Sequence, residues 1–208
     1  MNEALRECDD AALKGVIEYA CEVGVKPDVF VAAIEDMAHA SDAQTRAMIL
    51  WRAAFKVFEQ GKLGLATAAW ERARVLFLEA QADREAAWCA LNLSTVCIHR
   101  CDYRSALRQL SVVRQVTGAL GHDSLVMQAA RNRAICLYHL GETRQALTLH
   151  RRALTLARKL SKSREEAQCR ANLGNCYKAL GELRRAQREY KRAIQLSTSA
   201  GDHVAAAD

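Results

Sequence analysis

Three asparagines, Asn92, Asn132 and Asn172, recur at a 40-residue interval, with Arg52 at the corresponding point ahead of them. A carboxamide donates and accepts hydrogen bonds at once, so a row of them suits the backbone of a bound peptide whatever its sequence. The same row could instead bond a neighbouring helix. Near it in the pattern lie Arg131, Tyr138, Asn175 and Lys178, which would offer charge and hydrogen bonds to an acidic partner. Ahead of these stand Trp51, Phe55 and Trp88, an apolar set.

Other chemistries find less support. Cys97 and Cys101 are one helical turn apart, Cys136 and Cys176 sit at equivalent points, and His99 and His139 recur at the same interval. Recurrence argues for packing, with the two histidines stacked in neighbouring units, and the Cys-x2-Cys spacing of a tetrahedral metal site is missing. No phosphate-cradling glycine loop, nucleophile elbow or zinc-protease pattern occurs, and Glu165 and Glu166 open a helix, where they complement its dipole. Neither an enzyme nor a cofactor is expected. Arg144, Arg151 and Arg158 share a helix face, as do Arg184, Arg188 and Lys191. They could neutralise nucleic-acid phosphates, but aromatic residues are not interleaved with them and no helix-turn-helix or zinc module accompanies them. A solvated face is the simpler reading. A third use is docking the acidic N-terminal segment of another copy, giving head-to-tail assembly.

The elements that must hold these residues repeat. Gly61, Cys101, Gly141 and Gly181 fall at the same 40-residue interval, and each is followed, five positions on, by Ala66, Ala106, Ala146 or Ala186. Before each turn lies a first helix with a small residue at Ala54, Ser94, Ala134 or Gly174. After it lies a second helix with another at Ala73, Val113, Ala153 or Ala193. Small residues at fixed points let two backbones approach, and apolar residues such as Leu147, Leu154 and Leu156 recur at helical spacing. A period of this length is one supersecondary unit stacked on itself.

Composition agrees. The 208 residues include one proline and are rich in Ala, Leu, Arg, Glu and Gln, which favours helix nearly throughout. No apolar run is long enough to span a membrane, and the acidic start MNEALRECDD is not a secretory signal, so a cytoplasmic protein with free thiols at its eight cysteines is expected. Charge is uneven: residues 1–43 hold ten acidic and three basic side chains, whereas residues 141–192 hold fourteen basic and five acidic.

Four units are expected over 41–200, at about 41–82, 83–122, 123–162 and 163–202. Asp123 and Asp202 are placed as helix N-caps, and Ser163 with Glu166 has the spacing of a capping box. Residues 1–40 depart from the repeat. They predict two helices, about 10–23 and 27–39, parted by Gly24-Val25-Lys26-Pro27, as a cap on the array. Val29, Ala32, Ala33 and Met37 form an apolar stripe there. Residues 203–208 have the register of a further first helix, and a core face left bare at that end points to a domain downstream.

The stretch ANLGNCYKALGELRRAQREYKRAIQL (171–196) resembles a tetratricopeptide repeat through Gly174, Tyr177, Gly181 and Ala186. The resemblance covers 45–200, closely in the last two units and less so in the first two. There Cys101 replaces a glycine, and Val57 and Cys97 replace the tyrosine. The 40-residue length is similar to the extended repeats of Leu-Gly-Asn adaptors, and bacterial regulators also carry such repeats ahead of effector domains. The resemblance implies an all-α fold, an α-α superhelix of stacked antiparallel helix pairs whose first helices line a concave groove. The groove positions would be Met48, Trp51, Phe55 and Phe58, then Trp88, Leu91, Thr95 and Ile98. Gln128, Arg131, Ile135 and Tyr138 follow, and then Gln168, Ala171, Asn175 and Lys178. The groove would pass from apolar to polar, unless the N-terminal helices cover its apolar part. In that family, asparagines at this point of the first helix bond a peptide's backbone. The expected function is a scaffold for a partner peptide or helix. The alternatives are a regulatory domain of a larger bacterial signalling protein and nucleic-acid binding by the arginine-rich face.

Overall fold

The computed structural model describes residues 10–38, 42–120 and 122–199. Among them are ten helices and no strand: α1 (Asp10–Val23), α2 (Pro27–Met37), α3 (Ala43–Glu59), α4 (Leu63–Glu79), α5 (Asp83–His99), α6 (Tyr103–Leu120), α7 (Asp123–His139), α8 (Thr143–Lys159), α9 (Ser163–Ala179) and α10 (Leu183–Ser199). From α3 onward the helix starts are evenly spaced, each half a repeat after the one before. The chain divides within α5 into two compact units, Met1–Val96 and Cys97–Asp208.

The turns carry a finer period than the glycines show. Gly61, Gly141 and Gly181 have positive φ, and so do Gln81, Cys101 and Ser161 between them. At each of the six, that residue's N–H donates to a carbonyl three residues back and the next N–H to one five residues back. Gly61 to Phe58 and Lys62 to Val57, both at 2.9 Å, are an example. This is the Schellman closure of a helix end, and it satisfies carbonyls that would otherwise be orphaned. A left-handed residue with a Cβ costs roughly 1–2 kcal/mol, part of which glycine's extra chain entropy offsets. Converting Gln81, Cys101 and Ser161 together to glycine is therefore expected to raise stability by about 2 kcal/mol. Urea unfolding measures it, and a drop would mean that these side chains contribute more than their backbone strain costs.

The helix starts correct two sequence expectations. Asp123 is the first residue of α7 rather than its cap, a position held by His122, and Lys159 Nζ sits 2.5 Å from its carboxylate. Ser163 likewise lies inside α9 behind Lys162, with no side-chain cap bond, and Glu166 turns to arginines instead of closing a capping box. The carboxylates that do cap are Asp42, which accepts from Thr45 N at 2.8 Å, and Asp102, which accepts from Ser105 N at 3.0 Å. Hydrogen bonds from the Thr45 N–H and hydroxyl hold the Asp42 carboxyl, and those from the Ser105 hydroxyl and N–H hold the Asp102 carboxyl, below their usual pKa. Asp202 and residues 203–208 lie outside the described residues.

In unit 1 the core runs from Leu13, Ile17 and Ala20 of α1 through Phe30 and Ile34 of α2 to Leu50, Val57, Trp70, Phe77 and Leu93. Burying one such large side chain contributes on the order of 2–3 kcal/mol. The α2 stripe is rotated from the expected one: Phe30 and Ile34 are buried, whereas Val29 is 53% exposed and Ala32 is also exposed. Glu35 of α2 accepts from Arg72 of α4, at 2.8 Å from Nε and 2.7 Å from Nη2, which fixes the first helix pair on the second.

In unit 2 the paired alanines Ala106, Ala146 and Ala186 are buried, as are Ala134 and Gly174 opposite. A Cβ on Gly174 would come within 2.5 Å of the Tyr190 ring, so α9 and α10 approach more closely there than an alanine allows. Arg170 of α9 is buried between two carboxylates, at 2.9 Å from Glu166 and 2.8 Å from Glu189. Although burial pushes Glu166 up, hydrogen bonds from Arg158 and Arg170 hold its pKa below the usual value. His150 of α8 is buried as well, with Nδ1 lacking a hydrogen-bond partner.

Candidate peptide-binding face

The first helices place the expected site residues at different depths. In unit 1, Trp51 and Phe55 of α3 are half-buried and meet edge to face at 4.6 Å. Phe55 then meets Trp70 of α4 at 5.2 Å, and Phe58 meets the same indole at 5.5 Å. Because Trp70 is core, these rings are the rim of a packed cluster rather than free-standing anchors. Trp88 of α5 is half-buried and Leu91 is fully buried. The pair α1–α2 joins this core through Leu13, Ile17, Phe30 and Ile34, as a hairpin added to the stack.

The asparagine row is uneven. Asn132 is buried at 4% exposure and engaged within the protein. Asn92 and Asn172 are half-buried, and Nδ2 of Asn92 is buried without a partner. An unpaired buried donor costs about 1–3 kcal/mol, so the Asn92 amide is the rung with unused hydrogen-bonding capacity.

Unit 2 carries the polar part. Arg131 Nη1 donates to Gln168 Oε1, while its Nε is buried with no partner. Burial lowers the guanidinium's pKa, opposed by Cys169 and Glu165. Further along α9, Asn175 and Lys178 are exposed, and Tyr190 of α10 donates its hydroxyl proton to Asn175 Oδ1 at 2.7 Å. Tyr138 of α7 is half-buried against His139. The structure thus brings Arg131 to Gln168 and leaves Asn175 and Lys178 open, with Asn132 withdrawn beneath the surface.

The histidines and arginines change roles. His139 stacks on Tyr103 at 4.6 Å with ring planes 4° apart, not on His99. Arg151 donates to the Tyr177 hydroxyl at 2.8 Å and Arg158 pairs with Glu166, so two of the three arginines on the α8 face are spent on α9. Burial pushes Cys89 up to about 12 and Cys136, Cys169 and Cys176 to about 11, which keeps these thiols protonated and inert. Sequence reasoning missed His150 and Arg170. Glu166 and Arg170 four residues apart were a readable ion-pair signal for the second. For the first, the slot shared at 40-residue spacing with Trp70, Leu110 and Tyr190 was a core signal.

The comparisons agree with this architecture. The family model described as tetratricopeptide repeat matches residues 125–199. Solved structures similar to the chain include BtubC from P. vanneervenii, at 16% identity over 98% of this chain and 94% of that one, TM-score 0.67. Another is a Podospora anserina putative kinesin light chain with nearly identical TPR-like repeats, at 13% identity over 97% and 99%, TM-score 0.62. A third is a Rap protein complexed with competence and sporulation factor, at 19% identity over 90% of this chain and TM-score 0.70, of which the chain spans 53%. No curated protein sequence matches. No helix among the described residues is long and apolar enough to cross a membrane. The last two helix pairs thus match the tetratricopeptide-repeat model, and the chain as a whole has the stacked helix-pair fold of the matched structures.

Proposed function

We propose that the chain is a protein-interaction scaffold that holds a partner peptide against its first helices, with the polar contacts made in unit 2. The observation that carries this is Arg131, a cation whose Nε is buried without a partner and whose Nη1 reaches Gln168 on α9, the helix that also carries exposed Asn175 and Lys178. Such a set favours a peptide carrying carboxylates, because charge-assisted bonds to a partly buried guanidinium are the strong ones. The Rap protein, solved with a bound factor, is a structurally similar chain and supports the reading. Asn172 supplies an amide to the peptide backbone. Asn132 serves the helix stack.

Selection of short random peptides displayed against the chain tests this. Acidic sequences are expected to be enriched, and Arg131→Gln with Lys178→Glu is expected to lower their affinity at least about tenfold. Enrichment without acidic bias, or affinity unchanged in the double variant, would remove unit 2 from the binding account.

A further inference from the structure

The array supplies an internal control for what its last described hairpin leaves open. Leu154 of α8 is 9% exposed because α9 lies against it, in one cluster with Cys169, Leu173 and Tyr177. Ile194 holds the same position in α10 and is 47% exposed. Leu183, which opens α10, is 65% exposed. With Ala186 and Tyr190, these residues line a shallow apolar trough of 590 Å³ flanked by Lys178 and Lys191. The helix itself carries five basic side chains and one carboxylate, Glu189, which is held by Arg170.

The first hairpin has the complementary surface. Once Leu13, Ile17 and Ala20 of α1 are buried, Ala12, Val16, Tyr19 and Val23 form a second stripe at helical spacing. Tyr19 and Val23 are each 61% exposed, and Val29 of α2 is 53% exposed. Across residues 10–37 there are six carboxylates and two lysines, with Glu18 and Glu22 beside the stripe. Scattered apolar residues on a surface are ordinary, but two contiguous stripes of opposite charge are not accounted for by solubility.

We infer that the α1–α2 face of one copy docks on the α10 face of a second copy, so that helix pairs continue from chain to chain. Tyr19 and Val23 occupy the trough between Leu183 and Ile194, as α9 occupies the corresponding face of α8. Glu18 and Glu22 meet Lys191 and the neighbouring arginines at the rim. The contact is heterologous: each copy offers two different faces, so association does not stop at two unless the rotation closes a ring. Rim charges steer such a contact and are screened by salt.

Sedimentation velocity on the 208-residue chain tests this. The average mass is expected to rise with protein concentration and to fall back as salt is raised. Ile194→Glu blocks one face and Tyr19→Glu the other. Both sites are exposed, so each variant is expected to keep wild-type helicity by circular dichroism and to sediment as a monomer. An equimolar mixture of the two restores one intact pair of faces and is expected to give dimers and nothing larger. Monomeric wild-type protein at every concentration overturns the proposal. So does association that survives Tyr19→Glu, which would mean two α10 faces meeting each other, and so does a mixture that stays monomeric.

Discussion

Arg170→Met is expected to lower the unfolding free energy by about 3–5 kcal/mol. The guanidinium is almost fully enclosed and touches two carboxylates, with side-chain exposures of 6% for Arg170, 17% for Glu166 and 18% for Glu189. Methionine fills much of the volume, so the loss comes from the carboxylates left behind, not from a cavity. Glu166 keeps Arg158, whereas Glu189 keeps only its longer contact to Arg192 at 3.7 Å. Adding Glu189→Gln to Arg170→Met should therefore recover a large part of the loss, since a neutral amide at the same place needs no counter-charge. Urea midpoints of the single and double variants decide it. A double variant no more stable than the single one would show that packing, and not stranded charge, is what Arg170 supplies. The pH dependence has a definite sign. Glu166 has a depressed folded-state pKa, so the stability it contributes is present above its unfolded value and is lost as pH falls through the folded one.

The second large effect concerns His150. Burial, reinforced by the nearby Arg131 charge, pushes its pKa from 6.5 down to about 4. In the folded state the imidazole is therefore neutral at pH 7. As pH falls below the unfolded-state value the unfolded chain gains a proton that the folded chain refuses. Stability is complete above about 6.5, declines between about 6.5 and 4, and levels off below, with a total loss of about 3 kcal/mol. His150→Leu should abolish that decline and also remove a buried nitrogen without a partner. Leucine is the residue that α6 carries in the same slot, at Leu110, where it is buried. Unfolding free energies at neutral and mildly acidic pH, compared between the two proteins, measure the difference. Parallel curves would show that His150 is protonated in the folded state or solvated in it.

The helix boundaries were legible from the sequence because three independent signals coincide at every unit: a turn residue, an alanine five positions on, and a small residue seven positions before. Where only one signal existed, the reading slipped. Residues 27–34 of α2 are nearly all apolar, so hydrophobicity does not set the phase of the helix. Contacts with α3 and α4 chose Phe30 and Ile34 over Val29 and Ala32. Asp123 and Ser163 have the right chemistry for caps, but α7 starts behind His122 and α9 behind Lys162, after the Schellman turn at Ser161, which leaves both residues one position inside. The candidate site was legible as a row and not as a surface. A 40-residue interval places Asn92, Asn132 and Asn172 on equivalent points of three helices. Depth depends on what each neighbouring helix presents, and that put Asn132 below the surface. His150 was hidden for the converse reason, since a polar residue type in a core slot reads as surface until its repeat equivalents are set beside it.

The six left-handed turns have a consequence for how such a chain changes length. Each is closed by hydrogen bonds to carbonyls of the helix it ends, so none relies on a neighbouring unit for its geometry. A genetic duplication or deletion of one whole repeat therefore joins one finished turn to another, and the splice needs no new loop. What limits such an event is the fit of the side chains on either side of the join, as in the Gly174–Tyr190 contact, where an alanine from an earlier unit would not fit unless the ring moved. Modularity resides in the backbone, and individuality in the few contacts that cannot be exchanged.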